Sequence, residues 1–183
     1  MAEKINPFGR QIFPPLKTYS EELSKLKTAL DMGCASGADS RYLASLGLEV
    51  DAIDKKLPEG IETDKKICFK QMDVSDFPFD KTYDVIVARN ILQFLSLENR
   101  NVVMDKMYRV LNKGGYLFII SSTKEDQMIA NGKFEEGELL AWAVKRMKVL
   151  MSFEGEKIVD NHNGSPGQHL HHMTMVVGKK TDG

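Results

Sequence analysis

An α/β fold, with a doubly wound sheet of seven strands that is mostly parallel and has an antiparallel last strand, is predicted by three observations. Short apolar runs alternate with helical patterns from Thr28 onward, and such alternation builds a parallel sheet with helices on both faces. The run Tyr83–Ala88 is continuously apolar at Val85-Ile86-Val87, as in a strand buried on both faces. Two late runs, Val149–Phe153 and His172–Gly178, have no helical pattern between them and are expected to pair antiparallel.

Residues 1 to 18 carry no periodicity, and Pro7, Gly9, Pro14 and Pro15 are expected to break any regular element there. Phe8, Ile12 and Phe13 could pack over the core as an arm. Ser20 before Glu21-Glu22 marks a short helix that buries Leu23 and Leu26. Thr28–Met32 is the first strand, and Ser40–Leu46 is helical until Gly47 caps it. Leu48–Asp54 is the second strand. The polar stretch Lys55–Lys66 has room for one helical turn, so this crossover is expected to be short. Ile67–Met72 and Tyr83–Ala88 follow as strands, then the amphipathic helix Leu97–Leu111 and the strand Tyr116–Ile120. Glu136–Met147 reads as a helix with Leu139, Leu140, Ala143, Val144 and Met147 inward. Gly155–Gln168 is expected to be a polar loop. The alternation amounts to five strand–helix units, in a domain spanning 28–183 preceded by an arm and short helix at 1–27.

Composition narrows the function classes. A chain of 183 residues with 42% hydrophobic and 28% charged residues can bury a full core. With a net charge of −1, strong polyanion binding is not implied and nothing in the totals supports a basic stripe, so no nucleic-acid partner is expected. No apolar run approaches a signal peptide or a membrane span, so a cytoplasmic protein without a membrane partner is expected, as monomer or homodimer. Cys34 and Cys68 make no disulfide framework and read as small buried fillers, and the ten methionines mostly as core. Lys145, Arg146 and Lys148 read as a solvated helix end.

The predicted ligand edge is acidic. In a doubly wound sheet, ligands bind beyond the carboxyl ends of the strands. That rule gathers Asp31–Gly37, Asp54, Asp73 and Ala88–Asn90 around one crevice. Gly33, Ala35 and Gly37 bare the backbone for a ligand. Asp54 is placed to accept from ribose hydroxyls, and Asp73 from an exocyclic adenine amine. Asp31 sits where a pyrophosphate would approach, and suits an ammonium instead. Gly33-Cys34-Ala35-Ser36-Gly37-Ala38 partly fits a dinucleotide turn, but no Lys-Ser/Thr follows to make a Walker loop. An adenosine ligand with a cationic amino-acid end, S-adenosylmethionine, fits three strand-end carboxylates better than NAD.

Five motifs in order resemble the class I S-adenosylmethionine-dependent methyltransferases. They are Ala29-Leu30-Asp31-Met32-Gly33-Cys34-Ala35-Ser36-Gly37, Val50-Asp51-Ala52-Ile53-Asp54, Gln71-Met72-Asp73-Val74, Tyr83 through Leu95, and Leu111-Asn112-Lys113-Gly114-Gly115-Tyr116-Leu117. Ser40–Gly47 and the stretch from Glu138 to His172 are similar to the tellurite-resistance-type branch. The resemblance implies a Rossmann-like fold and S-adenosylmethionine as cofactor. It implies that Gly33, Cys34, Ala35 and Gly37 underlie the methionine part, that Asp31 holds the ammonium, and that Asp54 holds the ribose with Lys55 beside the adenine. Asp73 and Val74 would then meet the adenine, and Arg89 would lie near the cofactor. Asn90 and Gln93 would face a small-molecule acceptor. Ala35 departs from the family's middle glycine.

Methyl transfer from a sulfonium needs mainly alignment and desolvation, so no catalytic residue is assigned. His169 and His171 are candidate acceptor-pocket residues, with His172 and His162 nearby. No acidic or cysteine partner lies close to them in the sequence, and no metal site is expected. Trp142 is expected in the core or a lid, and Asp84 in local hydrogen bonding. Two other functions compete: a cofactor-binding regulatory protein without transfer activity, and an NAD-dependent oxidoreductase, which the absence of a Tyr-x-x-x-Lys pair disfavours.

Overall fold

The computed structural model describes residues 11–61, 64–126, 134–159 and 169–181. Phe8, His162 and most of the expected polar loop lie outside them. The strands are β1 (Thr28–Met32), β2 (Glu49–Asp54), β3 (Ile67–Gln71), β4 (Tyr83–Arg89), β5 (Leu111–Ser122), β6 (Lys148–Val159) and β7 (His169–Lys179). They form one seven-stranded sheet in the order β3-β2-β1-β4-β5-β7-β6. The pairs β1–β2, β1–β4, β2–β3 and β4–β5 are parallel, and β7 runs antiparallel to both β5 and β6. Strand order reverses between β1 and β4, so the ligand crevice of this fold opens at their carboxyl ends.

The helices are α1 (Pro14–Thr18), α2 (Ser20–Leu23), α3 (Ala38–Ser45), α4 (Leu97–Val110) and α5 (Glu138–Val144). One sheet face packs Leu30, Ile86 and Ile119 against Met104, Met107 and Leu139 of α4 and α5. The other packs Ala29, Val87 and Phe118 against Phe13, Leu16, Leu23 and Leu43. The amino-terminal arm thus contributes to the core. Pro14 and Pro15 start a helix rather than break one, because a first-turn proline gives up an N–H that has no intrahelical partner.

Several expectations need correction. Only single 3₁₀ turns, Val74–Asp76 and Leu92–Phe94, follow β3 and β4 directly, and no helix joins β2 to β3 among the described residues, so strand–helix alternation is not fivefold. β6 and β7 run past the expected ends, because the Glu154–Val159 stretch pairs with His169–Thr174 despite its polarity. α5 is shorter than expected, and Leu140 (38% exposed) and Val144 (57%) face outward. Cys68 is exposed because β3 is an edge strand. Trp142 is half-buried and donates to Asp105 at 3.3 Å.

Two acids, Asp51 buried and Asp84 half-buried, tie the sheet together. Asp51 accepts from the Tyr83 hydroxyl (2.7 Å), Lys81 (3.2 Å) and Lys70 (3.4 Å). Asp84 accepts from the Lys27 and Thr28 backbone N–H groups and from Asn112. Burial alone would raise both acids, but these donors outweigh it and hold their pKa values below the usual carboxylate range. A carboxylate with a depressed folded pKa contributes stability above its unfolded pKa and loses it as pH falls through the folded value. Denaturant midpoints are therefore expected to drop progressively below about pH 4. Asp51→Asn should flatten that dependence, which urea titrations from pH 7 to pH 2.5 would show.

Candidate functional site

The site begins where β1 ends. The Gly33 and Cys34 N–H groups both donate to the Ile53 carbonyl of β2, at 2.8 and 3.0 Å. The Gly37 N–H closes the turn on the Cys34 carbonyl at 2.8 Å, and α3 starts at Ala38. Gly33 and Gly37 are left-handed, with φ of +75° and +80°. A Cβ at Gly37 would stand 2.8 Å from the Phe69 ring and the Arg41 guanidinium.

Ala35 is also left-handed, at φ +49°. Its N–H donates to Asp54 Oδ2 at 2.8 Å, which holds it there. An L-residue in this region costs about 1–2 kcal/mol, part of which glycine's greater unfolded-state entropy would cancel. Ala35→Gly is expected to stabilise the fold by about 0.5–1 kcal/mol, read as a rise in the urea midpoint at constant slope.

Three acids stand at the ends of adjacent strands. Asp31 is buried and accepts from Ser40 of α3. Asp54 uses Oδ2 for Ala35 and Oδ1 for the Lys56 N–H at 3.0 Å. Asp73 caps the following 3₁₀ turn through the Ser75 N–H at 2.9 Å and pairs with Lys55 at 3.3 Å. The Ser75 N–H, opposed by burial and helped by Lys55, holds Asp73 below the usual carboxylate range. Each carboxylate oxygen has two lone pairs, so the contacts of Asp54 and Asp73 leave accepting capacity. Val74 is buried beside Asp73.

Arg89 ends β4 and reaches across to α3 and the arm. Its Nη1 donates to Asp39 Oδ2 (3.1 Å) and to the Gln11 carbonyl (2.7 Å), and its guanidinium lies 5.4 Å from the Phe13 ring centre. Asp39 in turn accepts the Phe13 N–H at 2.7 Å. The sequence reading missed Asp39, Ser40 and Gln11. An acid in a helix's first turn was the available signal for Asp39, but its partners are far away along the chain.

Asn90 follows in left-handed conformation (φ +54°), and its N–H donates to Ile120 of β5 at 2.8 Å. Ile91 packs against Gly33, with its Cβ 3.0 Å from where a Gly33 Cβ would be. Gln93 is buried, and its Oε1 accepts from the Ser121 hydroxyl (3.1 Å) and the Ser122 N–H (3.2 Å). Asn90 and Gln93 therefore join the glycine turn to the end of β5.

His171 and His172 have acidic partners, contrary to expectation. His171 Nδ1 lies 2.8 Å from Asp126 Oδ2, with both side chains buried. His172 Nδ1 lies 2.6 Å from Thr123 Oγ1 and 3.8 Å from Glu125. These partners follow β5, too distant along the sequence for local spacing to show. β7 begins at His169 and is antiparallel to β5, so the start of β7 stands at the carboxyl edge with the other site residues. By strand alternation Asp31, Arg89 and His171 share the arm-covered face, and His172 the other. Among the described residues, no three His, Cys, Asp or Glu side chains converge as metal ligands would, and no helix is long and apolar enough to cross a membrane.

Residues 17–143 match the family model described as tellurite resistance protein TehB. The chain belongs to the TehB family. A ubiquinone biosynthesis O-methyltransferase of Rickettsia typhi is 28% identical over 142 residues, covering 73% of this chain and 56% of the relative. A probable S-adenosyl-L-methionine-dependent methyltransferase TehB of Haemophilus influenzae is 29% identical over 106 residues, 54% of this chain and 37% of the relative. The chain thus spans little more than half the length of the first of these relatives, and less of the second. Among solved structures, Haemophilus influenzae TehB superposes with a TM-score of 0.79 at 23% identity, over 93% of this chain and 63% of that one. NodS, an N-methyltransferase of Bradyrhizobium japonicum in complex with S-adenosyl-L-homocysteine, gives 0.66 at 17% identity, over 98% of this chain and 90% of that one. These likenesses establish a shared fold, the Rossmann-like sheet of the class I methyltransferases.

Proposed function

We propose that this TehB-family chain transfers a methyl group from S-adenosylmethionine to a small-molecule acceptor. The observation that carries the reading is the acidic edge of Asp31, Asp54 and Asp73 around a turn whose left-handed glycines let Ile91 and Phe69 pack closely against it. That acceptor set fits a phosphate-free adenosine with an ammonium end, and it would repel a pyrophosphate. The names of the Rickettsia and Haemophilus relatives support the same reading.

In this reading Gly33, Cys34, Ala35 and Gly37 lie along the methionine part, and Asp31 accepts from the ammonium. Asp54 receives the ribose hydroxyls, while Lys55, Asp73 and Val74 hold the adenine. Arg89 fixes the arm over the cofactor side through Gln11 and Asp39. Asn90, Gln93, His169 and His171 border the acceptor. When bound, S-adenosylmethionine supplies an electrophilic methyl group, whose bonding pair stays with sulfur. The protein's part is to align the acceptor and exclude water.

Calorimetry with S-adenosylmethionine, S-adenosylhomocysteine and NAD tests the cofactor assignment. Binding of both sulfur ligands is expected; binding of NAD alone would overturn the reading. Transfer of labelled methyl to a panel of small acceptors then tests activity. Cofactor binding with no transfer to any acceptor would favour a regulatory protein instead.

A further inference from the structure

We propose that the cleft beyond the end of α5, at the sheet edge opposite the glycine turn, binds a small phosphate monoester. The cleft is open to solvent, has a volume of about 640 Å³, and lies between Tyr108 of α4 and the run Val144–Lys148 that leads from α5 into β6. β6 starts and β7 ends here, so this is the amino edge of the parallel strands, away from Asp31, Asp54 and Asp73. The site is thus separate from the methyl-transfer crevice, and the inference does not depend on that reading. A tight turn builds it. The Arg146 and Met147 N–H groups both donate to the Ala143 carbonyl, at 3.0 and 2.9 Å, and this sets Lys145, Arg146 and Lys148 beside the cleft.

The lining combines cations with an apolar wall, Val144 and Met147. Arg146 is held in place. Its Nη2 pairs with Asp105 at 3.1 Å, its Nη1 donates to the Trp142 carbonyl at 3.3 Å, and its guanidinium lies 4.9 Å from the Trp142 ring centre. A guanidinium has five N–H donors, so capacity remains. Lys145 and Lys148 are exposed and meet no carboxylate among the described residues. Lys180 stands behind Tyr108, 4.5 Å from its ring centre, and donates to the Tyr108 and Leu111 carbonyls at 2.8 and 2.7 Å. Burial, and after it the neighbouring Lys113 charge, pushes the Lys180 pKa down. The fold's own negative charge does not cover these groups. The carboxyl ends of α4 and α5 supply about half a charge each, and Asp105 supplies one more. Against Lys145, Arg146, Lys148 and Lys180 that leaves about two positive charges, close to the charge of a phosphate monoester at neutral pH. Asp182, the next acid along the chain, lies outside the described residues. A fixed, planar guanidinium flanked by two mobile ammonium groups suits the oxygens of a phosphate. Val144 and Met147 then offer apolar contact to the esterified group. A nucleic-acid strand would need a row of cations, whereas these line one cleft.

The test titrates the full chain with phenyl phosphate, inorganic phosphate, phenol and phosphatidylglycerol vesicles, read by calorimetry. Saturable binding of phenyl phosphate is expected, about threefold to tenfold tighter than inorganic phosphate because of the apolar wall, with phenol not binding. Lys145→Ala combined with Lys148→Ala should weaken phenyl phosphate at least about tenfold. Lys17→Ala combined with Lys25→Ala removes the same charge from other exposed positions, and there the affinity should stay within about twofold. Val144→Asn, at a position 57% exposed, should erase the preference for the phenyl ester and leave inorganic phosphate binding unchanged. Urea midpoints check that each variant folds. Absence of saturable phenyl phosphate binding by the wild type would overturn the proposal. So would undiminished binding in the Lys145 and Lys148 variant, or an equal loss in the Lys17 and Lys25 variant, which would mark a response to net charge alone. Binding of vesicles without binding of phenyl phosphate would overturn it in favour of a lipid surface. None of these outcomes bears on S-adenosylmethionine binding, which is measured separately.

Discussion

Asp54→Ala is expected to weaken S-adenosylmethionine binding about a hundredfold, because it removes two things at once. The proposed ribose contact loses a charge-assisted acceptor, worth about 1.5–3 kcal/mol. The turn also loses its anchor. The Ala35 N–H donates to Asp54 Oδ2, and this bond holds an alanine in left-handed backbone. Without it Ala35 relaxes, and the surface of the turn changes shape. Asp54→Asn separates the two effects, since its carbonyl oxygen still accepts from Ala35 but offers less to a diol. An intermediate loss of about tenfold is expected there. Ala35→Gly in the Asp54→Ala background should recover part of the affinity if turn geometry matters. Calorimetry reads all three, with thermal unfolding as the check on folding. Unchanged affinity in Asp54→Ala would remove Asp54 from the ribose role.

What the sequence made legible was local. The apolar runs of β1, β2 and β4 and the glycine turn carry their periodicity within a few residues, and the turn's acids follow from strand ends. The Asp39–Arg89–Phe13 connection was not legible, because it joins three segments far apart in the chain. The acidic partners of His171 and His172 were hidden for the same reason, as antiparallel pairing brings them together only after folding. Strand ends failed where hydrogen bonding overrode side-chain pattern. The extensions of β6 and β7 pair polar residues, so no apolar alternation marked them. Helical spacing also overstated burial on α5, where Leu140 and Val144 follow the apolar period but lie beyond the width of the packed stripe.

Glu138→Ala is expected to destabilise the fold by about 2–3 kcal/mol, the largest single effect on stability anticipated here. Arg100 is fully buried in α4, pairs with Glu138 at the start of α5, and lies 3.9 Å from the Phe134 ring centre. Burial pushes the Arg100 pKa down, while Glu138 and Glu135 oppose it. A guanidinium does not escape by losing its proton, so removing the Glu138 carboxylate takes away part of the compensating charge in a poorly solvated place. The exposed third of Glu138 lets water enter, which keeps the loss below that of a fully sealed pair. Arg100→Met removes the charge and keeps much of the volume, so it is expected to cost less than Glu138→Ala. Arg100→Met should also recover stability when added to Glu138→Ala. Urea denaturation of the two single variants and the double gives the coupling directly. Equal and additive losses would mean that Arg100 acts through packing alone. The effect should also reach the acceptor side. The Phe134 N–H donates to the Ser122 carbonyl and its carbonyl accepts from Lys124, so loosening the Arg100 clamp frees the segment that carries Thr123 against His172.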